Sequence, residues 1–368
     1  MMGVAMVARP LLVHRNKGKL GQMTAPDENA IREAFRTQAA FCLASGSPLT
    51  GEVCAALAER MDHKTRTGAA ILDWQGNPMA DALMMRITGG LNALARSGAD
   101  PVLSALYHAR SGDFRGQVSR VLAEWDDWLL PWLDGPPQTN EVARAGALWP
   151  GIMAVAARFG PNVELLELGA SAGLNLNLDR FGYVLGGAAA GDPDSGVQLK
   201  PDWHGKPPVF APVAVASRAG VDQNPLDVSK PEVVERLMAF VWPDQDARVA
   251  RISAAIALAQ ANPPPITRAD AADWLEDRLA RPQPQGVTRI VYHSIVLQYV
   301  APESRARIGS AMERAGAAAT EERPLAWLSY EFASVTPTAE LRLTLWPDGA
   351  TRLLGHVHPH GAVVDWAG

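Results

Sequence analysis

Residues 163–178, VELLELGASAGLNLNL, constrain this chain more than any other stretch. Val163, Leu165, Leu166 and Leu168 form an apolar run, a small-residue turn from Gly169 to Gly173 interrupts it, and Leu174, Leu176 and Leu178 follow. This pattern predicts a buried strand, a glycine-hinged loop and a segment packing back. In an open α/β sheet such loops border the ligand crevice. Gly169 supplies a tight turn with positive φ, and Gly173 permits close approach of backbone to ligand or sheet. Glu167, at the strand end, offers a carboxylate.

Several readings fit the loop. A dinucleotide fingerprint requires G-x-G-x-x-G, whereas Ser171 and Leu174 occupy the second and third glycine positions. S-adenosylmethionine loops take acid-x-G-x-G-x-G. Glu167, Gly169, Ser171 and Gly173 match that with one Gly-to-Ser departure, and Ala170 lies within the turn. Gly169-Ala170-Ser171-Ala172-Gly173 also spells G-x-S-x-G, the nucleophile elbow of serine hydrolases. A turn of small residues with no ligand is the fourth reading.

The rest of the 368-residue chain narrows these. A net charge of −5 gives no basic surplus for a phosphate backbone, so no nucleic-acid partner is expected. No apolar run approaches a membrane span, and the first residues lack the pattern of a secretory signal. Cys42 and Cys54 are the two cysteines; they read as buried thiols in a helical region. With no disulfide framework, a cytoplasmic location is expected. Residues 1–25 read as a loose tail.

Residues 26–137 read as an all-helical cap domain. Ile31, Phe35 and Ala39 recur at helical spacing, as do Leu83, Ile87, Leu91 and Leu94. Trp125, Trp128 and Trp132 form a stripe expected in its core. Gly135-Pro136-Pro137 is a linker. A helix is expected from Gln138 to about Phe159, capped by Thr139 or Asn140. Residues 138–368 then alternate strand and helix. Strands are expected at Glu164–Leu168, Val213–Val221, Ile266–Arg268, Thr288–Ser294 and Leu325–Phe332. A β-hairpin turns around Pro347–Ala350. Residues 174–212, which hold Gly186-Gly187, read as an inserted hairpin or loop near the mouth of the site. The fold class is therefore α/β: a Rossmann-like class I methyltransferase sheet with a C-terminal β-hairpin, preceded by an all-helical domain.

In such a sheet, an acid after the second strand holds ribose hydroxyls and one after the third contacts adenine. Asp222 and Asp270, the latter followed by Ala271, stand there; a turn role for Asp222 and a helix-cap role for Asp270 remain alternatives. His293 and Ser294 end the fourth strand, where substrate-facing groups sit. His293 suits a general base or a hydrogen-bonded structural role, and Tyr299 is a further candidate. His356, His358 and His360 alternate near the C-terminus, a spacing that on a strand puts side chains on one face, although Pro359 limits this. His358 and His360 read as pocket-lining groups, with no metal. A serine hydrolase would need strands ahead of its elbow, and this chain reads as helical there.

QTNEVAR, LLELGASAGLNLNLDRFGY, SRAGVDQNPLDV, VWPDQDARVARISAAIALA and HPHG resemble the bacterial domain of unknown function 2332 family. The resemblance covers most of the chain from about Asp27. It implies a methyltransferase-like sheet domain whose loop, Glu167, Gly169, Ser171 and Gly173, would hold S-adenosylmethionine. Gln138, Asn140, Glu141 and Arg144 would lie on the helix before the first strand, as a lid or as a capping and interdomain network. The expected activity is S-adenosylmethionine-dependent methyl transfer to a small molecule. The alternatives are a serine hydrolase acting through Ser171 and a non-catalytic ligand-binding protein of the same fold.

Overall fold

The computed structural model describes residues 27–332 and 338–368. The tail read at residues 1–25 lies outside them. Contacts divide the chain into two compact units: the part up to Thr139 together with Pro231–Ala250, and Asn140–Lys230 together with Arg251–Gly368. Pro231–Ala250, which the sequence division places with residues 138–368, belongs to the first unit.

The first unit is helical, with no strand among its described residues. It contains α1 (Glu28–Ala44), α2 (Pro48–Arg60), α3 (Arg66–Leu72), α4 (Leu83–Ser97), α5 (Pro101–Ala109), α6 (Phe114–Glu124) and α7 (Asp126–Leu129). Carboxylates start several of these helices. Asp27, Asp100 and Asp113 accept backbone amides of the first turns of α1, α5 and α6, satisfying donors that the helix itself leaves open. Phe35, Leu57, Leu72, Ile87, Leu91 and Val121 meet in one core. The tryptophan stripe is not uniformly core. Trp132 is buried against Phe240, but Trp128 is 39% exposed, because the helix breaks at Trp125 and continues as α7 and a 3-10 turn, Leu130–Leu133.

The second unit opens with a 3-10 turn at Val142–Arg144, then α8 (Ala145–Phe159) and β1 (Asn162–Leu168). Gln138–Glu141 are not helical. After β1 comes a 3-10 segment, Leu174–Arg180, and a three-stranded sheet of β2 (Gly182–Leu185), β3 (Ala188–Gly191) and β4 (Gln198–Leu199), followed by β5 (Asp202–His204). Next are β6 (Ala214–Asp222), α9 (Pro231–Ala239), α10 (Asp246–Ala261), β7 (Ile266–Arg268), α11 (Ala271–Ala280), β8 (Thr288–Ser294), α12 (Pro302–Ala317) and β9 (Leu325–Phe332). β10 (Ala339–Trp346), β11 (Ala350–Val357) and β12 (Val363–Trp366) close the chain. α9 and the first residues of α10 fall in the first unit.

The result is a mixed α/β unit around a nine-stranded, mostly parallel sheet ordered β5-β12-β11-β10-β9-β8-β1-β6-β7. From β7 to β9 every neighbouring pair is parallel; β10 and β11 pair antiparallel. β1 is flanked by β6 and β8, so the strands added later in the chain run outward from it in both directions. Such a reversal opens a crevice at the carboxyl ends of the two central strands. Leu166, Leu168, Val221 and Val291 pack with Leu275, Ile308 and Met312 below that edge. No described helix is long and apolar enough to cross a membrane.

Candidate functional site at the carboxyl edge of the sheet

The loop after β1 leaves at this edge. Gly169 has φ +70°, and a Cβ there would lie 2.2 Å from Val296 Cγ2. Gly173 has φ +69°, and its Cβ would lie 2.5 Å from Pro264 Cγ. Both glycines are thus required by the chain's own packing, on one side against the loop after β8 and on the other against the approach to β7. Ser171 also has positive φ, +53°. Its amide donates to Asp222 Oδ2 at 2.9 Å, and Asp222 Oδ1 accepts the Asn224 amide at 2.8 Å. Ala170 is buried, and its amide donates to the Val221 carbonyl. Asp222 therefore ties the β1 loop to the end of β6.

The Ser171 hydroxyl is buried and has no hydrogen-bond partner. A serine nucleophile is activated by a base within hydrogen-bond reach, and none is seated on Oγ. Removing a buried hydroxyl that makes no bond costs little. Ser171→Ala is expected to change unfolding stability by less than about 1 kcal/mol, read by urea denaturation. A much larger loss would reveal a bond to Oγ.

Glu167 is 3% exposed. Burial pushes its carboxyl well above the usual carboxylate range; the Tyr292 hydroxyl and Arg144 act in the opposite direction, and the charge of Asp222 adds to the rise. Tyr292 Oη lies 3.4 Å from Glu167 Oε2 and 3.2 Å from the Asn175 carbonyl. The phenol has one proton to donate and faces both acceptors, the Glu167 carboxyl oxygen and the Asn175 carbonyl. The pH consequence follows from linkage. Below the usual value of 4.5 both folded and unfolded chains carry this proton. As pH rises past 4.5 the unfolded chain ionises first, and stability falls until the folded-state value is passed. Glu167→Gln is expected to remove this contribution to the slope, which for one proton is at most about 1.4 kcal/mol per pH unit. Denaturation of both proteins at pH 4.5–8 measures it.

The loop after β8 is built around Glu331 on β9. Its Oε1 accepts His293 Nδ1 at 2.6 Å and the amides of Val296 at 3.0 Å and Leu297 at 3.3 Å. Trp327 Nε1 donates to His293 Nε2 at 3.0 Å. Both ring nitrogens of the fully buried His293 are engaged, the geometry of the hydrogen-bonded structural role that the sequence offers beside that of a general base. Ser294, half-buried at the end of β8, accepts Arg144 Nη1 through its carbonyl at 3.0 Å. Tyr299 follows in this loop and is 76% exposed.

A third strip completes the edge. Arg144 Nε donates to the Pro359 carbonyl at 2.9 Å. Tyr330 Oη donates to the His358 carbonyl at 2.6 Å, and the His360 amide donates to His358 Nδ1 at 3.1 Å. β11 ends at Val357, so the three histidines do not share a strand face; the turn brings the His358 and His360 rings to 5.6 Å. Glu141 is 2% exposed. Its Oε1 accepts the Ala143 amide and pairs with Arg251 at 3.5 Å, and its Oε2 lies 3.8 Å from His360 Nδ1. Asn140 Oδ1 accepts the Leu174 amide, and Asn175 Nδ2 donates to the Glu141 carbonyl. Asn140, Glu141 and Arg144 thus join the β1 loop, the β8 loop and the 358–361 turn. Gln138 lies in the first unit, half-buried.

Asp270 takes its helix-cap role. It accepts the Ala272 and Asp273 amides at the start of α11, whose first residue is Ala271, and lies 3.4 Å from Ser304 Oγ. A cavity of about 250 Å³ adjoins the β1 loop, lined by Ala172, Leu226, Asp227, Ser229, Gln260 and Pro264 among others. Among the described residues no group of three or more His, Cys, Asp and Glu is arranged to hold a metal ion.

The chain belongs to the bacterial family described as "Uncharacterized protein conserved in bacteria (DUF2332)", whose model matches residues 32–366. No curated protein and no solved structure matches it.

Proposed function

Starting from that membership, we propose that the second unit is a Rossmann-like, S-adenosylmethionine-dependent methyltransferase acting on a small molecule. The observation that carries the reading is the strand order. β1 and β8 stand side by side where the order reverses, and a glycine-hinged loop leaves β1 at that point. Ligands of doubly wound sheets bind at such switch points. The cavity beside Ala172 lies toward β6 and β7, the half that receives the first nucleoside in these sheets.

The residues present fit this cofactor better than a dinucleotide. A pyrophosphate needs the amides and positive end of an α-helix. Here the loop leads into a seven-residue 3-10 segment with non-helical geometry at Asn177, which offers little such field. The unpartnered Ser171 hydroxyl is hydrogen-bonding capacity left for a ligand. When bound, the cofactor supplies an electrophilic methyl sulfonium. The chain's own task is positioning: Asp222 and the β1 loop hold one end of the crevice, and the Glu331-anchored β8 loop, Tyr299 and the Glu141–His360 turn border the acceptor side. Holding two reactants in line supplies much of the acceleration in such a transfer.

A variant that fills the cavity tests the reading. Ser229 is exposed and lines the cavity, so Ser229→Trp narrows the space without disturbing the core. A ligand at a hundred times its Kd adds about 2.7 kcal/mol of stability. S-adenosylhomocysteine is expected to raise the melting temperature of the natural chain, and Ser229→Trp to need at least about tenfold more ligand for the same rise, a weakening of about 1.4 kcal/mol. Equal shifts in both proteins would place the ligand elsewhere.

A further inference from the structure

Asp270, which the sequence offers to an adenine amine, is spent elsewhere. Its Oδ1 accepts the Ala272 and Asp273 amides, and its Oδ2 lies 3.4 Å from Ser304 Oγ. An adenine bound to the second unit therefore needs another acceptor, and the cavity beside the β1 loop supplies one. That cavity lies wholly within the second unit, and its volume of about 250 Å³ is far more than one water needs. Most of its wall is apolar, Ala172, Val228 and Ile266 included, and its polar side chains are Asp227, Ser229 and Gln260.

The hydrogen bonds already made decide what these three side chains can still offer. Gln260 Nε2 donates to the Val228 carbonyl at 2.8 Å. A carbonyl only accepts, so this bond fixes which end of the amide is nitrogen and leaves Oε1 as the open end, an acceptor. The Ser229 hydroxyl spends its one proton on Asp227 Oδ1 at 2.6 Å, and the Ser229 amide donates to the same oxygen at 3.1 Å. Asp227 Oδ2, 3.8 Å from Lys230 Nζ, is a second acceptor. The backbone of the wall adds few donors. The Leu226 amide is taken by the Ser171 carbonyl, and Pro225, Pro263 and Pro264 have no N–H. A ligand that fits this cavity brings its own donors on an otherwise apolar body.

We propose that Gln260 is a specificity-determining residue of the cofactor site: its Oε1 accepts the exocyclic amine of adenine and selects an adenine nucleoside over an oxopurine one. The assignment rests on the S-adenosylmethionine reading. Hypoxanthine carries an exocyclic oxygen where adenine carries the amine. In the same placement it sets two acceptors face to face, so the bond is lost and Oε1 is left without a donor.

Titration of the full chain with S-adenosylhomocysteine and with S-inosylhomocysteine tests the assignment by binding alone. The natural chain is expected to take the adenosyl ligand at least about tenfold more tightly. Gln260→Leu removes the acceptor, and the ratio is expected to fall below about threefold through lost adenosyl affinity. Gln260→Lys puts donors where the acceptor was and is expected to favour the inosyl ligand. Gln260 is exposed, so both variants are expected to melt close to the natural chain. An adenosyl preference that survives intact in both variants overturns the assignment and leaves the cofactor reading standing. Equal affinity of the natural chain for the two ligands does the same. Binding of neither ligand by the natural chain overturns the cofactor reading, and the assignment falls with it.

Discussion

Gly169→Ala is expected to destabilise the protein by roughly 2–5 kcal/mol and to displace the loop after β1. Two costs combine. Gly169 sits at φ +70°, a region where an L side chain costs about 1–2 kcal/mol. The new Cβ would also stand 2.2 Å from Val296 Cγ2 and 2.9 Å from Val296 Cβ, and overpacking of this kind costs about 1–3 kcal/mol. Gly286 separates the terms. It has φ +74° with nothing within 4 Å of its Cβ position, so Gly286→Ala measures the backbone cost alone. Val296→Ala in the Gly169→Ala background should recover the packing part, giving a coupling that a double-mutant cycle reads. Equal losses for Gly169→Ala and Gly286→Ala, with no recovery, would remove the steric explanation.

Glu331→Ala is the second large effect, at about 3–5 kcal/mol. The Glu331 side chain is 17% exposed, and one of its oxygens accepts three donors from the far end of β8 and the loop beyond. Hydrogen bonds to a charged acceptor contribute about 1.5–3 kcal/mol each, and sharing one oxygen makes them less than additive. Truncation leaves the His293 imidazole N–H and two amides without this acceptor. Glu331→Gln keeps an acceptor oxygen and is expected to lose about 1–2 kcal/mol. Hydrogen exchange should speed up at the Val296 and Leu297 amides in Glu331→Ala. Because Val296 is also the residue that presses on Gly169, the same variant should loosen the β1 loop. Unchanged protection at both amides would show that the loop is held by other contacts.

The strands of the central sheet were legible because burial on both faces leaves continuous apolar runs. Thr288–Ser294 and Leu325–Phe332 are observed as read, and β1 and β6 differ from their readings by one or two residues at an end. A hairpin was one of the two readings of the insertion, and β2 and β3 form one around Gly186-Gly187, but the bounds of these strands and of β12 were not legible. Each is four residues long, β3 is AAAG, and pairing partners rather than periodicity define them. The helices α3 and α5, of seven and nine residues, span too few turns to show a helical period.

The site shows a sharper limit. Asn140 has the chemistry of a helix cap, and the sequence places it at the start of a helix. In the fold its side chain accepts the amide of Leu174, 34 residues away. The residue type was informative, but its partner was not local. Asp270 is the converse: its partners are the next two to three residues, so its cap role was one of the two readings available from sequence. Glu331 drew no notice, since nothing near it in the chain signals a role. Its work depends on the parallel pairing of β8 with β9, which sets His293 beside Ser329 and brings the carboxylate under the next loop. His293 drew notice for its titratable ring, and the same pairing engages both of its nitrogens.

Isothermal titration of the full chain with S-adenosylmethionine and with S-adenosylhomocysteine tests the central claim most directly. One site per chain with micromolar affinity, about 8 kcal/mol of binding free energy, is the predicted result for both ligands. A folded chain that takes up neither would contradict the cofactor assignment and leave the β1–β8 crevice to a different ligand.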